Sequence, residues 1–137
     1  MTIGYTTGAF DLFHVGHLNI LKKARQMCDV LIVGVTTDNF IYKYKQKQPI
    51  IPFEQRVEIL KSIKYVDKVV PQENHNKFAQ WETHKFNVMF VGDDWKGTEK
   101  WNKIEKELGE VGVKVVYFER TKGISSTDIR ESIEISK

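Results

Sequence analysis

Val30-Leu31-Ile32-Val33-Gly34-Val35 carries no polar side chain, and this run constrains the fold more than any other stretch. Six residues is the length of a strand, and a strand apolar on both alternating faces must be covered on both. Such a strand belongs in a parallel sheet between two layers of helices. Shorter apolar runs recur along the chain. One strand is expected over residues 2–7, around Ile3 and Tyr5, and another at Lys68-Val69-Val70, where Pro71 is expected to stop it. Val88-Met89-Phe90-Val91 and residues 113–118 supply two more. Helical spacing falls between them: residues 16–27 with Leu18, Leu21 and Ala24 on one face, and 53–63 with Val57, Leu60 and Ile63, opened by Pro52. Residues 76–84 read as a weaker helix or turn, and 101–108 and 125–133 as two further helices. Residues 36–52 are expected to form a long polar, lysine-rich connection of the lid or binding-loop kind.

This alternation predicts an α/β fold: a doubly wound, five-stranded parallel sheet of order 3-2-1-4-5, in one domain spanning 1–137. Strands 1 and 4 then lie side by side at the switch point, where such sheets bind ligands beyond the strands' carboxyl ends. Three unusual segments fall at that edge. Gly8-Ala9-Phe10-Asp11-Leu12-Phe13-His14-Val15-Gly16-His17 follows strand 1, and Gly92-Asp93-Asp94-Trp95 follows strand 4. Arg120-Thr121-Lys122-Gly123-Ile124-Ser125-Ser126-Thr127-Asp128 follows strand 5.

Their chemistry points to phosphate. His14 and His17 lie three apart at a helix start, where backbone N–H groups and the helix dipole already favour an anion. Two imidazoles add N–H donors and would gain positive charge beside phosphate. Gly8 and Gly16 let backbone approach a ligand. In the third segment Ser125 with Asp128 reads as a capping box. Capping leaves Arg120, Gly123 and three successive hydroxyls to explain, and these suit a second phosphate cradle. Asp93 and Asp94 suit a ribose hydroxyl, a magnesium–phosphate group or a cap. Trp95 suits either a stacking face or packing. His75 and His84 sit in the poorly patterned segment and are expected to be exposed. No further His or Cys cluster supplies zinc ligands.

Exclusions sharpen this. The chain lacks a Walker A loop, a dinucleotide-binding G-x-G-x-x-G and a nucleophile elbow. Its net charge of +3 is too mild and dispersed to argue for nucleic acid by itself. Basic density peaks at Lys43, Lys45 and Lys47. No apolar run approaches the ~18 residues of a membrane span. The single cysteine, Cys28, and the absence of a signal-peptide pattern lead to the expectation of a cytoplasmic protein with no membrane partner. What remains is reaction at an α-phosphate, where the second substrate brings its own phosphate oxygen and the protein aligns and neutralises charge.

Here the residues resemble a known family. The stretch Gly8 to His17 is similar to the H-x-G-H signature of the nucleotidyltransferase superfamily, whose fold is Rossmann-like. Arg120-Thr121-Lys122-Gly123-Ile124-Ser125-Ser126-Thr127 resembles the R-T-x-G-I-S-[ST]-T signature of its cytidylyltransferase branch. Tyr65-Val66-Asp67, Gly92-Asp93-Asp94-Trp95 and the small size look most like the bacterial glycerol-3-phosphate cytidylyltransferase type. The resemblance implies that CTP and glycerol 3-phosphate give CDP-glycerol, a wall or surface-polysaccharide precursor, and pyrophosphate. It implies Mg2+ bound with the CTP phosphates, no metal held by protein ligands alone, and a homodimer.

On that resemblance His14, His17, Lys45 and Arg120 carry the transfer. Gly8, Ala9, Phe10, Asp11, Gly16, Gly92, Asp93, Thr121, Gly123, Ile124, Ser125, Ser126 and Thr127 bind CTP, with Asp11 ordering its turn. Lys47, Lys64 and Lys77 bind the acceptor phosphate. Three positions depart from the pattern and leave the acceptor open. Ala9 replaces a hydroxyl residue, as also happens in phosphoethanolamine enzymes. Lys64 replaces an arginine, and His75 stands where an aromatic is common. Phosphoethanolamine, phosphocholine or another polyol phosphate are therefore alternative acceptors. An aromatic cage for a quaternary amine would draw on Tyr42, Tyr44, Phe53 and Tyr65. A non-catalytic nucleotide- or nucleic-acid-binding module is the alternative of a different class.

Overall fold

A computed structural model describes residues 1–119. The predicted closing helix and the segment from Arg120 to Thr127 lie outside those residues. The elements run β1 (Ile3–Gly8), α1 (Val15–Gln26), β2 (Val30–Thr36), α2 (Asp38–Lys45), α3 (Phe53–Lys61), β3 (Lys68–Gln72), α4 (Lys77–His84), β4 (Val88–Gly92), a 3-10 turn (Asp93–Trp95), α5 (Glu99–Glu110) and β5 (Lys114–Phe118). All four strand pairings are parallel, in the order β3-β2-β1-β4-β5. The expected doubly wound sheet is the one found.

The central run of β2 is divided between two cores, as its double-sided apolar pattern requires. Leu31, Val33 and Val35 face one way, packing with Leu21 and Ala24 of α1, Leu60 of α3, and Phe90. Ile32 faces the other way, with Tyr5, Met89, and Trp101 and Leu108 of α5. Gly34 shares that second face. A side chain there would meet the Tyr5 hydroxyl at 2.7 Å, so the glycine is what lets Tyr5 lie across β2. Asp67 fixes the start of β2 by accepting the Leu31 amide at 2.8 Å while pairing with Arg25 at 3.2 Å. Among the described residues no helix is long and apolar enough to cross a membrane.

Two local expectations are corrected. Residues 36–52 are not an open connection: α2 occupies half of them, capped by the Thr37 hydroxyl on the Phe40 amide at 3.3 Å. Its single buried side chain, Ile41, leaves a mostly polar helix that hides from an apolar-periodicity reading. Pro71 does not stop β3 either. It sits within the strand, opposite Val35. β3 is an edge strand, where a missing N–H costs no ladder bond on the open side.

Candidate active site

The carboxyl ends of β1 and β4 open into a cleft of about 340 Å3. One wall is the turn from β1 into α1. Phe10 and Leu12 both stand in the left-handed region, each at φ 53°, a conformation costing on the order of 1 kcal/mol or more per side chain. The surroundings hold it in place. Asp11, only 4% exposed, accepts the Ile50 amide at 2.9 Å and the Ile51 amide at 2.8 Å. Gly8 leaves room for the Phe10 ring, which a Cβ there would approach to 3.1 Å. The Asp11 carboxylate therefore binds the protein's own chain at residues 50 and 51.

His14 and His17 form a reciprocal cap. His14 is the N-cap of α1, and its Nδ1 accepts the Gly16 amide at 3.0 Å. His17 Nδ1 accepts the His14 amide at 3.2 Å. The two rings stack at 3.9 Å between centroids. A neutral imidazole whose Nδ1 accepts carries its proton on Nε2; His17 lines the cleft, whereas the His14 Nε2 is buried behind it. His17 also lies 5.3 Å from both the Phe10 and Phe13 rings. Burial and the neighbouring His14 push its pKa down to about 4, against a smaller opposing effect of Asp11. Without a bound phosphate, His17 is therefore uncharged at neutral pH.

The opposite wall comes from α2 and the turn after it. Lys45 ends that helix, Gln46 turns in the left-handed region at φ 59°, and Lys47 comes next. This turn brings both lysines to the cleft, whereas Lys43 lines a separate groove with Phe40 and Glu73. Gly92 and Trp95, the latter 45% exposed, complete the cleft on the β4 side.

A second recess of about 190 Å3 joins the first and shares Gly8, Ala9, Lys45 and Trp95 with it. Lys77 lies in it, 6% exposed, its Nζ donating to the Thr7 hydroxyl at 3.1 Å. Burial, with help from Lys100, lowers the Lys77 pKa to about 7. His75 lines the same recess and His84 stacks on Tyr5 at 5.5 Å. Both are half-buried, which corrects the expectation that they are exposed.

Of the expected site residues, Gly8, Ala9, Phe10, Asp11, His17, Lys45, Lys47 and Gly92 line the cleft. His14 is stacked on His17, and Lys77 stands in the adjoining recess. Gly16 is buried in the first turn of α1, its amide donating to His14 Nδ1. Asp93 is exposed beside Gly92. Lys64 is not brought to the site. It precedes β3, at the sheet edge opposite the cleft, with its Nζ 5.2 Å from the centre of the Tyr65 ring. Nor do the four aromatics form a cage. Tyr44 lines the recess, Tyr42 is 49% exposed, and Phe53 and Tyr65 pack against the core. Arg120, Thr121, Gly123, Ile124, Ser125, Ser126 and Thr127 lie outside the described residues.

Arg56 escaped the sequence reading. It is 1% exposed and ties three site segments together. Its Nη1 donates to Ala9 O and Thr36 O, each at 2.7 Å, and its Nε to Ile51 O at 2.9 Å. Its Nη2 pairs with Asp38. The signal was available: Arg56 stands three after Phe53 and four before Leu60, inside the apolar stripe of its helix.

Residues 5–132 match the cytidylyltransferase-like family. The chain is 41% identical over 129 residues to the glycerol-3-phosphate cytidylyltransferase of Bacillus subtilis (strain 168), covering 93% of this chain and 94% of that protein. It is 35% identical over 123 residues to the ethanolamine-phosphate cytidylyltransferase of Mus musculus, covering 89% of this chain and 30% of that one. Among solved structures, the lipopolysaccharide core biosynthesis protein from Thermoplasma volcanium GSS1 superimposes with a TM-score of 0.73 at 24% identity, over 90% of this chain and 99% of that one. That likeness is one of fold.

Proposed function

The chain belongs to the cytidylyltransferase-like family, and from that membership we propose that it transfers CMP from CTP to sn-glycerol 3-phosphate. An oxygen of the acceptor phosphate attacks the α-phosphorus of CTP, the bond to the β-phosphate breaks, and pyrophosphate leaves as CDP-glycerol forms. Near-complete coverage of the Bacillus subtilis enzyme supports glycerol 3-phosphate as the acceptor. The observation that supports the reaction is the stacked histidine pair capping α1, of which His17 lines the same cleft as Lys45. Donors fixed in advance at the place where charge develops are the most effective kind of transition-state stabiliser. Lys45 and Lys47 neutralise the phosphates from the opposite wall, and Lys77 receives the acceptor's phosphate in the recess. Arg120 and the hydroxyls of Ser125, Ser126 and Thr127 belong to the same reading through the family signature.

Mg2+ accompanies CTP in this reading. The donor set fits a nucleotide-borne ion: Asp93 and Asp94 are exposed carboxylates next to Gly92, whereas both Asp11 oxygens accept backbone amides. Among the described residues no group of three or more His, Cys, Asp or Glu gathers to hold an ion by itself. When bound, Mg2+ spreads the negative charge of the phosphates. A homodimer and a cytoplasmic location complete the proposal.

Pyrophosphate release with CTP and a panel of phosphomonoesters tests the reading. Glycerol 3-phosphate is expected to be turned over fastest. Failure to turn it over, or a preference for phosphoethanolamine, would defeat the choice of acceptor. A steep salt dependence of nucleic-acid binding, with no turnover of any phosphomonoester, would defeat the enzyme reading.

A further inference from the structure

The recess beside the cleft holds groups that the transfer step leaves unexplained. Lys45, Lys77 and Lys100 line it, and among the described residues no carboxylate does. His75 lines it too, with its Nε2 buried and without a partner among the described residues. The ring is held between two others, edge-on to Phe40 at 4.5 Å and to Tyr44 at 4.8 Å. Phe40 and Tyr44 are one turn apart on α2 and stack on each other at 5.9 Å. Burial, then Lys100 and Lys77, keep the His75 pKa below its ordinary value, so the imidazole is neutral near pH 7.

We propose that His75 and Lys100 make this recess selective for an acceptor whose tail is uncharged and carries a hydroxyl. The inference rests on the cytidylyl-transfer reading and adds what the recess recognises beyond the phosphate. A neutral imidazole offers one donor and one acceptor, and a hydroxyl can answer either. The match therefore holds whichever tautomer is present, which is not so for an ammonium group. An ammonium tail would also enter a space with three lysines and no compensating carboxylate among the described residues. Lys77 receives the phosphate in this reading, and the further lysine charge around it rejects a cation at the acceptor's other end. Lys100 supplies that rejection from the first turn of α5. It shifts both His75 and Lys77 electrostatically without forming part of the transfer machinery.

The test is steady-state kinetics of the full chain with CTP and three acceptors: glycerol 3-phosphate, n-propyl phosphate, which lacks the hydroxyls, and phosphoethanolamine. His75→Phe keeps an aromatic ring between Phe40 and Tyr44 and removes the nitrogens. It is expected to reduce the preference for glycerol 3-phosphate over n-propyl phosphate by roughly 3- to 10-fold, the worth of one neutral hydrogen bond. The loss should appear in the KM for glycerol 3-phosphate, with kcat and the KM for CTP unchanged. His75→Gln, which restores a donor and an acceptor, should recover part of the preference. Lys100→Glu should raise kcat/KM for phosphoethanolamine relative to glycerol 3-phosphate by roughly fivefold or more. An unchanged hydroxyl preference in His75→Phe, or an unchanged phosphoethanolamine ratio in Lys100→Glu, overturns the inference while leaving cytidylyl transfer to glycerol 3-phosphate standing. A wild-type preference for phosphoethanolamine overturns both.

Discussion

The two walls of the site are built in opposite ways. In the histidine turn the holding bonds join residues two and three apart: Gly16 to His14, and His14 to His17. On the lysine side they join residues from 39 to 70 apart: Ile50 and Ile51 to Asp11, Ala9 to Arg56, and Thr7 to Lys77. The histidine cap within the first wall is local, which is why four residues of spacing suffice to write it, although Asp11 and Ala9 of the same turn are tied to residues 50, 51 and 56. The second exists only when β1, α2, α3 and α4 are all in place. The histidine cap is thus fixed by local bonds, while the placement of Lys77 and of the segment after α2 depends on contacts across the fold.

The local wall should be the more sensitive to chemistry. His17→Ala removes a fixed Nε2–H donor and is expected to lower kcat by at least about 100-fold. The cap it also removes is worth only ~1 kcal/mol of stability, so the folded fraction should barely change. Stopped or steady-state kinetics beside a urea titration separates the two, and a near-normal kcat would end the role given to His17. The distant wall should be the more sensitive to stability. Arg56→Ala leaves Ala9, Thr36 and Ile51 carbonyls without their donor and Asp38 without its cation, at a cost of about 3 kcal/mol. Arg56→Lys should not rescue it, since one ammonium cannot span those partners. Equal denaturation midpoints for Arg56→Ala and wild type would show the walls to be independently held. Within the lysine segment the turn at Gln46 divides the side chains. Lys45→Ala is expected to reduce kcat/KM for CTP roughly 30-fold, the loss of one charge-assisted hydrogen bond, and Lys43→Ala by less than twofold. Similar losses from both would mean that charge density, not placement, is what matters there.

Legibility in the sequence divides along the same line. The strand order was legible because Val30 to Val35 demands cover on two faces and the connections have one allowed hand. The strand-to-helix junction at the histidine turn was legible because the bonds that cap it join residues two and three apart. α2 was not, because seven of its eight residues are not buried and a cap on Thr37 leaves only a weak signal. Arg56 was not read as a hub because its partners are 5 to 47 residues away, although its position in an apolar stripe marks it. Lys64 was placed by motif and not by topology: a residue preceding β3 enters the sheet at the edge away from the cleft. Pro71 was read by a rule for central strands and stands in an edge one.

Lys77 offers the gentlest way to probe the distant wall, since pH changes its charge without altering a side chain. It is buried, faces Thr7, and shares its recess with His75, Lys45 and Lys100. Burial first, and Lys100 second, bring its pKa to about 7. The free acceptor gains its second negative charge with a pKa of about 6. The profile of kcat/KM for the acceptor reports the free forms of both. Raising pH through 6 creates the dianion and raises the rate, and raising it through 7 discharges Lys77 and lowers it. A narrow bell between those two limbs is expected, falling about tenfold per pH unit on its alkaline side. His17, with its pKa near 4, contributes no limb in this range. Lys77→Arg keeps its charge at every pH in the range, so its alkaline limb should move up past pH 9 even if the rate at pH 7 is lower. An alkaline limb that stays near 7 in Lys77→Arg would assign it to another group and detach Lys77 from the acceptor's phosphate.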